Sequence, residues 1–293
     1  MQAAKCACIL DVPDAVLVFS NERIVRCKPS ANERAGRMSE MVVGINLFTL
    51  HEQCKDLAGL KYTLVRLKEI GYSCVQVSGV SLEPEVIAET LKETGMKCAA
   101  THMGWPQLRD TTERAIEIHK MYDCRHTAIG MLPQEYLRGV SGIDRFSREI
   151  PVPAQKLADA GITLSYHNHH IEFTKVGGKT WLETLYDTID PKYLNAEIDT
   201  YWAQTGGGDP VLWIRRMAGR EPLLHVKDKV VTFSGEQRFA EIGMGNLNWP
   251  EIIRAAEESG VEYVLVEQDS MYDRDPFEAV KISYDYLASM GLS

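Results

Sequence analysis

Residues 73–103 read SCVQVSGVSLEPEVIAETLKETGMKCAATHM, and the fold turns on this stretch. Residues 73–78 are a short, mainly apolar run of strand length. Pro84 then opens a segment that continues to Thr94, with Gly95 behind it; proline in a first turn and glycine after a last turn punctuate a helix. Residues 98–103 form a second run of strand length. Strand, helix and strand in this order predict two parallel strands joined by a crossover helix.

The alternation continues in both directions. Upstream, 42–48 (VVGINLF) reads as a strand. The helix at 57–70 carries Leu60, Leu64, Leu67 and Ile70 on one face and is closed by Gly71. Downstream come a helix at 111–122 and a strand at 126–131. The fourth helix is placed at 153–160, because Pro151 and Pro153 stand where a first turn should be. Strands at 162–167 (ITLSYH), 194–198 (LNAEI), 223–227 and 262–267 alternate with helices at 180–187, 210–217, 249–259 and 276–290. Eight such pairs predict an α/β fold with a parallel sheet. Closing it into a (β/α)8 TIM barrel with outer helices leaves no open edge. The alternative, an open doubly wound sheet, lacks a Gly-x-Gly-x-x-Gly turn after its first strand.

Length and charge bound the function. With 293 residues there is room for one barrel at 41–293. Residues 1–40 read as an N-terminal extension outside it, and 1–37 as the product of an upstream start codon, since Met38 and Met41 precede the first strand. Asp11 and Asp14 interrupt the apolar stretch before Ser20, so no signal peptide is expected. No apolar run is long enough for a membrane span. A net charge of −9 argues against a nucleic-acid groove, which needs a basic footprint. Seven cysteines without a recurring Cys-x-x-Cys fit neither a disulfide framework nor a zinc ribbon. Cys6-Ala7-Cys8 reads as incidental. Reduced thiols in a cytoplasmic protein are the simplest account. The expected partner is a small molecule, not nucleic acid or membrane, and a homo-oligomer is compatible with the sequence.

Barrels of this kind place working residues at the carboxyl ends of their strands. Those positions hold His102, then His167, His169 and Glu172, then Asp199, then His225 and Lys227, then Glu267 and Asp269. Alternation puts His167 and His169 on one face, and His225 and Lys227 on another. Asp199 and Glu267 leave apolar strands, where an unpaired carboxylate is costly. Imidazoles and carboxylates converging on one barrel end suit a divalent metal with positions left for substrate. Each residue also has a plainer reading: His102 as a core histidine bonded to backbone, Asp199 as a loop cap, a solvated histidine among 167–170. Trp105 and Trp202, in loops beyond strand ends, are either an apolar wall for a sugar face or loop packing. Gly177-Gly178 and Gly206-Gly207-Gly208 lack a phosphate loop's lysine and read as flexible points or hinges at the barrel mouth. Gly243-Met244-Gly245 is expected to shape the approach to the seventh helix. Tyr284, Tyr286, Leu287 and Met290 read as packing.

The segments YHNHHIEF (166–173), IDTYWAQTGGGDP (198–210), HVKD (225–228), GMGNLNW (243–249), VEQD (266–269) and DPFEAVKISYDYLASMGL (275–292) resemble the sugar phosphate isomerase/epimerase family. That family lies in the xylose-isomerase-like superfamily, which also holds inosose dehydratase, ketose 3-epimerases and endonuclease IV. The resemblance covers about residues 42–292. It implies one divalent metal ion, manganese first and cobalt, magnesium or zinc as alternatives, held by a Glu, Asp, His, Glu set from successive strand ends. Asp199, His225 and Glu267 match the last three. For the first, Glu172 keeps the ligand chemistry, whereas position in the motif favours His167. The implied reaction is isomerisation or epimerisation by proton abstraction next to a carbonyl through a metal-stabilised enediolate. His167 or His169 would act as base, Lys227 would polarise or protonate an oxygen, and Glu267 would serve as ligand and proton acceptor. His102, Trp105 and Trp202 would contact substrate. The histidine at the strand-five position draws the chain toward dehydratase- and lyase-type members acting on an inosose or 3-keto-glycoside. A metal-dependent phosphodiesterase is a rival enzyme class, and a non-catalytic sugar-binding barrel a non-enzymatic one.

Overall fold

The structure, a computed structural model, describes residues 17–20, 23–26 and 41–293. Within the N-terminal segment, Leu17–Ser20 pairs antiparallel with Arg23–Arg26. The other readings of residues 1–40, including Cys6-Ala7-Cys8, lie outside the described residues.

From Met41 onward the chain is a barrel. Its strands are β1 (Val42–Asn46), β2 (Cys74–Val77), β3 (Lys97–His102), β4 (His126–Ile129), β5 (Thr163–His167), β6 (Asn195–Asp199), β7 (Leu223–Val226) and β8 (Tyr263–Val266). Each pairs in parallel with its sequence neighbours, and β8 closes on β1 through Tyr263↔Val42 to Val266↔Ile45. The closed sheet of eight parallel strands, wrapped by helices, is a (β/α)8 TIM barrel. Helices Leu57–Ile70, Pro84–Thr94 and Trp249–Ser259 stand where periodicity and punctuation place them. Gly95 and Gly260 close two of these in the left-handed conformation.

The β4–β5 connection differs from expectation. It holds two helices, Gly139–Glu149 and Pro151–Asp159, that meet at Ile150. Pro151 has no N–H to continue the first ladder, so it begins the second helix instead. The earlier helix escapes a periodicity search because its buried face is only Gly142, Ile143 and Phe146. Further unpredicted pieces fill the loops: helix Trp105–Asp110, helix Thr200–Thr205, and a hairpin of Asp228–Val231 with Gln237–Ala240.

Several loop readings change. Trp105 is fully buried, with Tyr136 and Phe146 meeting its ring edge-on, so it belongs to the core and not to a substrate wall. Gly177-Gly178 forms the tight turn between Lys175–Val176 and Lys179–Thr180. Gly206 and Gly208 are not hinges: a Cβ on either would come within 2.5 Å of the Phe173 ring, so they are packing positions. Leu287 is buried, and Tyr284, Tyr286 and Met290 pack against the core. The four described cysteines, Cys54, Cys74, Cys98 and Cys124, are free and buried. No helix among the described residues is long and apolar enough to cross a membrane.

Asp228 organises the loop after β7. Its carboxylate accepts from the Gly243, Gly245 and Leu247 N–H groups at 2.9, 3.0 and 3.3 Å, and from the Trp249 indole at 2.6 Å. A Cβ on Gly245 would stand 2.2 Å from Asp228 Oδ1. HVKD and GMGNLNW are thus two halves of one clamp. Asp228→Asn would turn an NH2 toward these donors and is expected to cost about 1–3 kcal/mol in urea unfolding, with metal binding unchanged.

Candidate metal centre

Strand alternation sorts the barrel interior into two tiers. The amino-end tier is apolar: Cys74, Ala99, Ala100, Leu223 and Leu265, with Val42 and Tyr263 packed against them. Two residues beyond Cys74, Leu223 and Leu265, and four beyond Val42, the same face carries Gln76, His225, Glu267 and Asn46, all buried. Glu197 and Asp199 from β6, and His167 from β5, complete a polar tier over an apolar plug.

Within it, His167, Asp199, His225 and Glu267 bring one donor atom each to within 4.8 Å of one another. His167 Nε2 lies 3.4 Å from Asp199 Oδ2 and 4.0 Å from Glu267 Oε2, and His225 Nδ1 lies 3.1 Å from Glu267 Oε2. Ligands about 2.1 Å from a central ion sit about 3.0–4.2 Å from each other, and the separations of 3.1, 3.4 and 4.0 Å lie in that range. The unused atoms are tied back. His167 Nδ1 donates to the Gly130 carbonyl at 3.3 Å, which leaves the Nε2 lone pair for the cluster. Asp199 Oδ1 accepts from the Trp202 N–H at 2.8 Å, leaving Oδ2 to face the cluster, and the Asp199 N–H is held by Asn168 Oδ1. Glu267 Oε1 is held by the Asn46 amide at 3.1 Å.

Glu172 stands apart from this group. It lies in the short 3-10 turn Ile171–Phe173, and its carboxylate accepts from the Tyr166 hydroxyl at 2.7 Å and the His169 N–H at 2.9 Å. Of the two strand-five candidates, the structure groups His167 with the other three residues. The physical reason is position: His167 ends the strand, and Glu172 is spent on shaping the loop that follows.

Lys227 reaches the same place from just beyond β7. Its Nζ lies 3.1 Å from Glu267 Oε2, 3.8 Å from Asp199 Oδ2 and 2.5 Å from Asp269 Oδ1, beneath the Trp202 and Phe239 rings. Burial works against its charge, but Glu267, Asp199 and Asp269 outweigh burial and raise its pKa. Burial also favours protonation of Glu267, and there Lys227 and His225 prevail, keeping the carboxylate well below its usual range. Asp199 is pushed up to about 6 by burial, opposed by Lys227. His225 resists burial because Glu197 and Glu267 flank it, and is raised to about 10. His169, partly buried between His167 and Trp202, is lowered to about 3 by burial and by His167. Its Nδ1 is enclosed with no hydrogen-bond partner. Trp202 tilts over both His169 and His170. His102 turns inward: its Nε2 meets Glu197 Oε2 at 2.6 Å, and its ring stacks on His225.

Three residues of this tier, Asn46, Gln76 and Glu197, were not singled out by sequence reasoning. A signal existed for two of them. Glu197 shares the strand face of Asp199, and Gln76 is a polar residue inside a strand that the fold buries on both faces.

Comparison with known proteins agrees with this architecture. The profile of the family described as "Xylose isomerase-like TIM barrel" matches residues 64–290. Among solved structures, a sugar phosphate isomerase/epimerase from Parabacteroides distasonis is similar at 21% identity, covering 91% of this chain and 100% of its own, with a TM-score of 0.73. An L-ribulose 3-epimerase is similar at 15% identity over 86% of this chain and 94% of its own, TM-score 0.60. A probable 3-DHS dehydratase from Bacillus anthracis is similar at 12% identity over 85% and 99%, TM-score 0.61. No functionally curated protein matches the chain. At these identities the solved structures speak for the fold, and the profile, spanning most of the chain, speaks for the family. The chain belongs to the xylose isomerase-like TIM-barrel family.

Proposed function

We propose that this protein is a divalent-metal-dependent enzyme that removes and returns a proton next to a carbonyl of a sugar-like or cyclitol-like substrate, in the manner of an isomerase or epimerase. The observation that carries the reading is the convergence of four donor residues with Lys227 and His169 at the mouth of one barrel. His167, Asp199, His225 and Glu267 would hold the ion. Two imidazoles and two carboxylates suit manganese, cobalt or zinc better than magnesium. Such an ion supplies Lewis-acid stabilisation of the negative charge that develops as the proton leaves.

The remaining roles fall to the chain. His169 is neutral at neutral pH, so its imidazole can accept the proton. Lys227 keeps its proton, and from its place among Glu267, Asp199 and Asp269 it can polarise a substrate oxygen or protonate one that departs. Trp202 offers an apolar surface beside His169 for a sugar face. Lys227 also favours a second outcome from the same site: a cationic acid next to the cluster can drive elimination of water or a glycoside from an inosose or 3-keto-glycoside.

A panel of keto-sugars and inososes incubated in deuterium oxide with manganese-loaded protein tests the reading. The expected result is deuterium at the carbon next to the carbonyl, lost in His169→Ala while the ion stays bound. Undiminished exchange in that variant would remove His169 from the role. Sugar binding without exchange would mark a binding barrel instead.

A further inference from the structure

We infer that Gln76 and Glu197 are positioning residues that fix His225 with its Nδ1 lone pair facing the metal cluster. The inference rests on the metal reading above and concerns residues that touch none of the other three ligands' donor atoms.

Gln76 lies on β2, and Glu197 lies across the barrel on β6; both are fully buried. Glu197 Oε1 accepts from Gln76 Nε2 at 2.7 Å, and Glu197 Oε2 pairs with His102 Nε2 at 2.6 Å. A carboxylate offers acceptors, so Gln76 must turn its NH2 group toward Glu197. Its carbonyl Oε1 then faces His225 Nε2, at 2.6 Å. A carbonyl oxygen only accepts, so Nε2 carries the hydrogen. An imidazole ligates a metal in its neutral form, with one N–H; with Nε2 keeping that hydrogen, the lone pair offered to an ion sits on Nδ1, the atom 3.1 Å from Glu267 Oε2. Glu197 Oε1 adds a second acceptor 3.4 Å from the same Nε2, and the His102 ring lies over His225 at 15°.

From Glu197 through Gln76 to the cluster-facing nitrogen of His225, each donor–acceptor polarity is dictated by the one before. This accounts for a costly feature: a buried amide and a buried carboxylate beneath the cluster. A ligand histidine whose far nitrogen is held by an acceptor is fixed in tautomer and ring orientation, and loss of such partners typically weakens metal affinity about 10–100-fold. His102, Glu197 and His225 also approach closely enough to suggest a cation of their own. Yet both Glu197 oxygens are already occupied by N–H donors, which makes this group a support beneath the site.

The test uses zinc-loaded full chain with 15N-labelled histidine, together with zinc and cobalt titrations of wild type, Gln76→Met and the isosteric Glu197→Gln. Expected are a His225 signal with Nε2 protonated and Nδ1 ligating, and affinities about 10–100-fold weaker in both variants at a single equivalent of ion. Urea midpoints check that each variant is folded; Glu197→Gln keeps the volume should Gln76→Met not fold. Coordination through Nε2, wild-type affinity in a folded variant, or a second equivalent abolished by Glu197→Gln would overturn this inference and leave the metal reading standing. Wild type that binds no ion would overturn both.

Discussion

Asp199→Asn is expected to weaken manganese or cobalt binding by on the order of 100-fold or more while the barrel folds as before. The two oxygens of Asp199 have separate tasks. Oδ1 accepts from the Trp202 N–H at the start of helix Thr200–Thr205, and Oδ2 faces His167 Nε2. Asparagine can keep the first contact with its carbonyl oxygen. Its NH2 group then occupies the ligand position, where it has neither charge nor a suitable lone pair. A cation held by two carboxylates and two imidazoles would be left with one carboxylate. Titration followed by cobalt absorption reads the affinity, and circular dichroism reads the fold. Wild-type affinity in a folded Asp199→Asn would exclude this residue as a ligand.

Lys227→Met is expected to lower turnover about 100- to 10,000-fold with the ion still bound. Lys227 is almost fully buried, and its ammonium group faces Asp199, Glu267 and Asp269 together. Methionine approximates the stem's volume and removes the acid. In the metal-free protein the change also leaves three carboxylates without that cation, and breaking a buried ion pair typically costs about 3–5 kcal/mol. A bound divalent ion would replace part of the lost positive charge. The unfolding midpoint of Lys227→Met should therefore fall in the stripped protein and recover with manganese, while turnover does not recover. Arginine is not expected to rescue turnover, because its guanidinium does not give up a proton. Turnover near that of wild type in Lys227→Met would assign the proton transfer to another group.

Much of the barrel was legible in the sequence because barrel strands are buried on both faces and helices carry one apolar stripe; those two patterns separate cleanly. Glycines and prolines then marked the ends, as at Pro84 and Gly95. What escaped lies in the loops. The hairpin Asp228–Val231 with Gln237–Ala240 is held by contacts distant in sequence, such as the Phe239 N–H donating to the Tyr272 hydroxyl at 3.1 Å. Trp105 looked like a mouth residue because it follows β3, but a short helix turns it onto Tyr136 and Phe146.

The site divides the same way. Strand-end position and residue type were enough to gather His167, Asp199, His225, Lys227 and Glu267 as candidates. The choice between His167 and Glu172 needed coordinates, since five residues of loop decide which carboxylate or imidazole reaches the axis. Gln76 and Glu197 carry no motif; their importance lies in which atom faces which, and that information exists only once β2 and β6 stand across one barrel from each other.

The most direct test of a metal centre built from these strand ends is the number of ion equivalents per chain in wild type beside His225→Ala. Purified protein is dialysed, reloaded with manganese, cobalt or zinc, and measured by atomic emission. The account predicts one equivalent in wild type and loss of that equivalent in the variant. An ion retained in full by His225→Ala, or absent from wild type even after reloading, would contradict it.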